Sequence, residues 1–354
     1  MPDSNDLHDM TIIGGGPTGM FAAYYAGFRG LTSKIIDSLP ELGGQLTAAY
    51  PEKYIYDVPG FQKILAKDLV KNLMAQVKPY APTLCLGESV RKLDLSGEKR
   101  LRILTDRAEH ESRVLVITTG LGMYTPRRLK GSQSFEGKGL HYTVTRTDEF
   151  RGKEVLIIGG GDSAVDWALH LEPVTRTITL IHRRDQFRAH EERVRRLLNS
   201  TIRVRPFYHM KELLGEGQVR QAVIVNTKTK AEEVLQVDAV LACIGFSSDL
   251  GPMADWGLVL EGKDAIKVNT KMETNIPGVY AAGDVTEFPG KVKLIATGFG
   301  EAATAVNNAA HYIDPARRVF PGYSTTIMKQ RERREKKRES PSPSSIAPSH
   351  QAAN

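Results

Sequence analysis

MTIIGGGPTGMFAAYYAGFRG, residues 10–30, is the stretch that decides the fold. Met10–Ile13 is an apolar run long enough for a buried parallel strand, and three glycines break it. Pro17–Phe28 follows with small and apolar residues, which predicts a helix with proline at its first position. Gly14-x-Gly16-x-x-Gly19 therefore lies between a strand and a helix. Glycines there close the turn and let the backbone approach a pyrophosphate, which sits at the helix N-terminus. Lys34–Asp37 reads as the next strand and ends in an acid 23 residues after Gly14. A carboxylate at that place suits a ribose diol.

The pattern returns further along. Glu154–Ile158 is an apolar strand, Gly159–Gly161 a tight turn, Ser163–Leu171 a helix and Thr177–His182 a strand. The second fingerprint is Gly159-x-Gly161-x-x-Ala164, and 23 residues after Gly159 stands His182, followed by Arg183 and Arg184. Cations replace the acid of the first site. A carboxylate would repel a 2′-phosphate, whereas guanidinium groups bind it in pairs of hydrogen bonds. The expected NADP(H) site is thus Gly159, Gly161, Asp162, Ser163, His182, Arg183 and Arg184. Two such sites divide the work: the first holds a flavin dinucleotide, FAD, and the second admits a nicotinamide that reduces it.

Outward from these motifs, Ile64–Val77 has the spacing of an amphipathic helix. Ser112–Gly120, Glu233–Gly245 and Gly278–Asp284 read as strands, and Phe299–Tyr312 as an Ala-rich helix. Asp284, at a strand end, would reach the ribityl or pyrophosphate region, and Ala296–Ala303 would aim a helix N-terminus at the flavin pyrimidine. Alternating strands and helices predict an α/β protein of two Rossmann-like, three-layer dinucleotide-binding domains. The FAD-binding domain is expected to be discontinuous, 1–117 with 248–328. The NADP(H)-binding domain covers 118–247, and residues 329–354 form a basic, Ser/Pro-rich tail with nothing to bury.

Composition narrows the partners. The 354 residues carry a formal charge of +7, but residues 328–354 hold seven Lys/Arg and three Glu, so +4 of it belongs to the tail. A nucleic-acid role through that tail has no base-reading motif to support it, and no nucleic acid is expected. Residues 10–28 are uncharged but broken by glycines and a proline, so no membrane span is expected. Asp3, Asp6 and Asp9 do not suit a signal peptide, which points to the cytoplasm. Two cysteines, Cys85 and Cys243, leave no disulfide scaffold, Cys-rich metal centre or iron–sulfur site.

GGGPTG, LGGQL at 42–46, GGGDSAVDWAL at 159–169, HRRDQFRAHE at 182–191, TNIPGVYAAGDV and GKVKLIATGFGEAATAVNNA occur in that order. Together they resemble the thioredoxin-reductase-like flavoproteins, and within them the bacterial ferredoxin–NADP reductases of that architecture. The resemblance covers about residues 9–328. It implies FAD contacts at Gly14, Gly16, Thr18, Gly19, Asp37, Gln45, Tyr50, Val90, Tyr124, Asp284 and Thr325. Tyr50 would stack on one flavin face and Tyr323 on the other, the latter from the partner subunit of a homodimer. No catalytic acid, base or metal is implied beyond the flavin. Thioredoxin reductases carry a CxxC before the second fingerprint, and glutathione-reductase relatives carry a redox pair near residues 41–50; neither place has a cysteine here. Electrons would then leave the flavin directly, to ferredoxin or flavodoxin. An NADPH-dependent flavin or quinone reductase, or a redox-sensing flavoprotein without efficient turnover, are the competing readings.

Overall fold

The structure, a computed structural model, describes residues 7–329 apart from 96, 98, 121, 123, 124, 248 and 263. Tyr124 and, except for Lys329, the tail expected at 329–354 lie outside the described residues.

The chain starts with β1 (His8–Ile13), α1 (Pro17–Phe28), β2 (Ser33–Asp37), α2 (Ala66–Val77) and β3 (Thr83–Leu86). An antiparallel meander follows, β4 (Val90–Leu95), β5 (Leu101–Thr105) and β6 (Glu109–Ile117). Met10, Ile12, Ile35 and Ile36 are fully buried, as strands covered on both faces must be. α1 has the limits its sequence predicts. α2 starts at Ala66 rather than Ile64, because Ile64–Leu65 pairs with Tyr54–Ile55 in a short antiparallel ribbon. Leu69, Val70, Leu73 and Val77 then bury one helical face.

The second unit runs through β7 (Leu140–His141), β8 (Glu154–Ile158), α3 (Asp162–Leu171), β9 (Thr177–His182), α4 (Glu191–Leu198) and β10 (Arg203–Pro206). Next come an antiparallel trio, β11 (Tyr208–Leu214), β12 (Gln221–Asn226) and β13 (Glu232–Gln236), and then β14 (Ala239–Ala242). The stretch 233–245, expected as one strand, is thus two strands in different sheets, because Val237 and Asp238 turn the chain from one layer to the other. β8 shows the period of two that builds three layers. Val155 and Ile157 pack with Ala164, Val165 and Leu171 of α3. Leu156 and Ile158 face Leu213, Ala222 and Ile224 of the trio.

The chain then returns to the first sheet through β15 (Val279–Ala281), parallel to β6, and ends its ordered core in α5 (Ile295–Ile313). Both sheets share one parallel strand order, β3-β2-β1-β6-β15 in the first and β10-β9-β8-β14-β7 in the second. Each fingerprint turn leaves the central strand of its sheet.

Candidate functional site

The first fingerprint opens onto a cavity of about 770 Å³, within the usual range for small-molecule and cofactor sites. Gly14 has φ +102°, and a Cβ there would lie 2.6 Å from the Thr118 carbonyl oxygen. Gly19 is tighter still, since its Cβ would stand 1.8 Å from the Gly14 carbonyl oxygen. These two glycines let the turn cross the sheet and the helix pack on it. A Cβ on Gly16, by contrast, would meet nothing within 4 Å, which leaves the turn's outer face open to a ligand. Gly14, Gly16, Thr18, Asp37, Gln45, Tyr50, Val90 and Asp284 all line the cavity, whereas Gly19 lies beneath the turn as a packing residue.

Asp37 caps one end. Its Oδ2 accepts the Gly15 N–H at 2.5 Å and its Oδ1 the Leu39 N–H at 2.8 Å. Burial pushes this carboxyl up from the ordinary carboxylate range, and the two backbone donors oppose that shift. Asp284 lies at the other end, also pushed up by burial, against the pull of Lys291 and Lys293. Leu294 and Ile295 line the same end, so the N-terminus of the 19-residue α5 borders the cavity. Thr119, another lining residue, has a buried hydroxyl without a hydrogen-bond partner. An open glycine turn, acids at both ends, an orphaned hydroxyl and a helix N-terminus fit a dinucleotide with a polyol linker and an anion-stabilised ring.

A support that the sequence does not advertise holds the Asp284 turn. Lys291 and Glu301 form a buried ion pair, their side chains 1% and 8% exposed. Glu301 accepts the Gly283 N–H at 2.7 Å, and the Gly283 carbonyl accepts from Lys291 at 2.9 Å and Thr286 at 2.8 Å. Gly283 and Gly298 both press on Thr18, where a Cβ on either would come within 3 Å of its hydroxyl. No short motif joins residues 283, 291 and 301, so only the folded chain reveals them.

The second fingerprint repeats the turn without the enclosure. Gly159 has φ +154° and its Cβ would lie 2.4 Å from the Cys243 carbonyl oxygen, while a Cβ on Gly161 would meet nothing. The His182 ring lies over Gly160, stacks on Phe187 at 5.4 Å and pairs through Nε2 with the Gln186 carbonyl at 3.2 Å. Burial, and then Arg183, Arg184 and Arg188, push its pKa down. Asp162 is engaged, accepting the His190 N–H at 2.9 Å, and Ser163 is exposed. Arg183 and Arg184 are exposed and form no ion pair among the described residues. None of these residues lines the first cavity.

The loop from Tyr50 to Tyr56 joins the two units. Tyr50 packs against both cores and lines the cavity. Lys53 pairs with Asp166 of α3 at 2.8 Å, and Glu52 accepts the N–H and hydroxyl of Thr147 at 2.8 and 2.9 Å. Tyr323 and Thr325 stand elsewhere: Tyr323 is 75% exposed, edge-on to Phe320, and neither lines the cavity. Cys85 lies in the first sheet, and Cys243 follows β14 in the second, with its thiol pushed up to about 12 by burial. Neither cysteine lines the cavity.

A two-fingerprint α/β protein with one enclosed and one open dinucleotide turn defines a pyridine-nucleotide flavoenzyme class. Residues 8–309 match the pyridine nucleotide-disulphide oxidoreductase family, and the chain belongs to it. It is 54% identical over 330 residues to a ferredoxin–NADP reductase of Halalkalibacterium halodurans, covering 92% of this chain and 100% of that one. A ferredoxin–NADP reductase of Geobacillus thermodenitrificans is 50% identical over 328 residues, 92% of this chain and 98% of that one. In structure the chain is similar to Lactococcus lactis thioredoxin reductase, with TM-score 0.76 and 27% identity over 86% of this chain and 99% of that one. The fold is thioredoxin-reductase-like.

Proposed function

We propose that the chain is an FAD-dependent oxidoreductase that passes electrons between NADPH and a one-electron carrier, ferredoxin or flavodoxin. The observation that carries this reading is the pairing of an acid-capped, enclosed dinucleotide cavity with an open, arginine-ended one, with no cysteine lining the cavity. A disulfide substrate needs a thiol relay. Here the reacting electrons have no protein group to pass through. The names borne by relatives at 54% and 50% identity support the same acceptor class.

Bound in the first cavity, FAD supplies the conversion of a two-electron donor to one-electron delivery. The chain's own residues bind and orient. Gly14–Thr18 present backbone N–H groups to the pyrophosphate, and Asp37 takes a ribose hydroxyl. Asp284 and the α5 N-terminus meet the ribityl and ring end, where positive dipole charge favours a negative ring. Gln45 and Tyr50 would line the ring's near side. At the second turn Gly159–Ser163 take the NADPH pyrophosphate, and Arg183 and Arg184 its 2′-phosphate. Proximity, rather than acid–base chemistry, supplies the rate.

The domain division of 1–117 with 248–328, and 118–247, is supported by the membership of the two sheets. A homodimer, in which Tyr323 and Thr325 reach the partner's flavin, is supported by the exposure of Val319, Phe320 and Tyr323. Among the described residues no helix is long and apolar enough to cross a membrane. A cytoplasmic location follows from that reading and from the acidic N-terminal residues. The test is an anaerobic NADPH titration followed by cytochrome c reduction with and without ferredoxin. The flavin should bleach with NADPH, and reduction should depend on ferredoxin. Ferredoxin-independent reduction would favour a flavin or quinone reductase instead.

A further inference from the structure

Three ionisable side chains that the reaction does not use lie in contact inside the first unit. Lys34 of β2 is 1% exposed, His110 of β6 is 1% and Glu88, between β3 and β4, is 7%. The Lys34 Nζ is 3.0 Å from His110 Nδ1, and His110 Nε2 is 2.7 Å from Glu88 Oε1. An ammonium can only donate, so Nδ1 accepts and the imidazole proton is on Nε2, donated to Glu88. Glu88 Oε1 also accepts the Thr105 hydroxyl. The chain of contacts therefore runs from a buried cation, through a neutral imidazole, to a buried anion.

The cluster is not a metal centre. Donor atoms of Cys85, Glu88 and His110 lie within 4.8 Å of one another. But the Lys34 ammonium already sits on Nδ1, and the Nε2 lone pair is taken up by its proton. Burial, and next the Glu88 carboxylate, push the Cys85 thiol up, away from the thiolate a metal needs. A cation would have to enter beside a fixed positive charge.

Buried ion networks contribute little to stability compared with apolar residues of similar size, so stability alone is a weak reason for this one. Its position is informative. Glu88 lines the cavity with Ser89, Val90 and Arg91, at the Asp37 end, and the Glu88 N–H donates to the Asp37 carbonyl at 2.9 Å. Two donors meet on Oε1, and Oε2 accepts no hydrogen bond from the described residues. A ligand group that satisfies Oε2 must be a donor. Phosphates offer none at neutral pH, and the ring end of the cavity lies at Asp284 and Ile295. The adenosine half has both ribose hydroxyls and an exocyclic amine.

We propose that Glu88 recognises the adenosine half of the bound dinucleotide, and that Lys34 and His110 are positioning residues that hold its carboxylate at the cavity wall. This rests on the assignment of the first cavity to FAD. It makes the relay a device for choosing FAD over FMN, which lacks adenosine.

The test uses the full-length chain, stripped of flavin and titrated separately with FAD and with FMN, following flavin fluorescence. Glu88→Gln keeps the shape and removes the charge. A charge-assisted hydrogen bond lost there should raise the Kd for FAD about 10- to 100-fold, and that for FMN by less than about threefold. His110→Leu should do the same. His110→Gln, whose amide accepts from Lys34 and donates to Glu88, should stay within about threefold of wild type for FAD. FAD and FMN weakening together in Glu88→Gln, or FAD affinity unchanged while thermal stability falls, would overturn the proposal and leave the triad purely structural. A wild-type chain that binds neither flavin would overturn the cavity's assignment, and the relay's role with it.

Discussion

The two fingerprints are built to one plan and finished differently. In each, the first glycine's Cβ would strike the carbonyl of a residue just past the neighbouring strand, Thr118 in the first and Cys243 in the second. In each, the third residue of the turn, Gly16 or Gly161, faces open space. The position 23 residues on separates them, a buried Asp37 against a His182 followed by two exposed arginines. So does the third fingerprint position, Gly19 against Ala164. The first turn is pressed closer, walled into a cavity and braced by buried ion pairs. The second is open, and its cations are unpaired among the described residues. The contrast teaches how one turn serves two ligands: enclosure and buried acids suit a resident cofactor, exposed guanidiniums a nucleotide that comes and goes.

The sharpest way to break the comparison is to exchange the third positions. Gly19→Ala puts a methyl group 1.8 Å from the Gly14 oxygen and should abolish flavin retention, read from the flavin-to-protein absorbance ratio. Ala164→Gly should leave flavin content alone and cost about 1 kcal/mol, the usual helix penalty, in denaturant unfolding. Next in size is the brace. Lys291→Met leaves Glu301 buried and uncompensated, which should cost about 3–5 kcal/mol. Changing both, Lys291→Met with Glu301→Leu, should recover much of that loss. Arg183→Ala in the open turn should shift stability by less than about 0.5 kcal/mol.

The smallest effect is in the pH profile. Burial is the main cause pushing His141, His170 and His182 of the second unit down. The folded chain then binds fewer protons than the unfolded one between those lowered values and the ordinary value of about 6.5. Stability should therefore rise with pH through that window and fall as pH drops through it. His182→Asn should flatten part of the slope in thermal midpoints measured from pH 7.5 to 5.5.

Much of this was legible in the chain. α1, β8 and β9 have the limits their residues predict, because a glycine turn and an apolar run are local signals. The acid and the two arginines at matching spacing separated the sites before any coordinates. What was not legible depends on contacts between distant residues. Lys34, in the middle of a strand, reads as a surface residue until His110, 76 positions away, is found against it. The Lys291–Glu301 brace and the Lys53–Asp166 link between the units are of the same kind. The antiparallel trio, β11 to β13, escaped because its alternation is weak and half its residues are exposed. Tyr323 is beyond a single chain's account, since in this chain it contacts Phe320 rather than the cavity.

The division of labour itself is tested most directly by Arg183→Ala combined with Arg184→Ala. The quantities to measure are bound flavin and kcat/KM for NADPH and for NADH. Flavin content should match wild type, and the preference for NADPH over NADH should fall about 100-fold as two charge-assisted contacts are lost. Equal losses for both nucleotides, or departure of the flavin, would contradict the account.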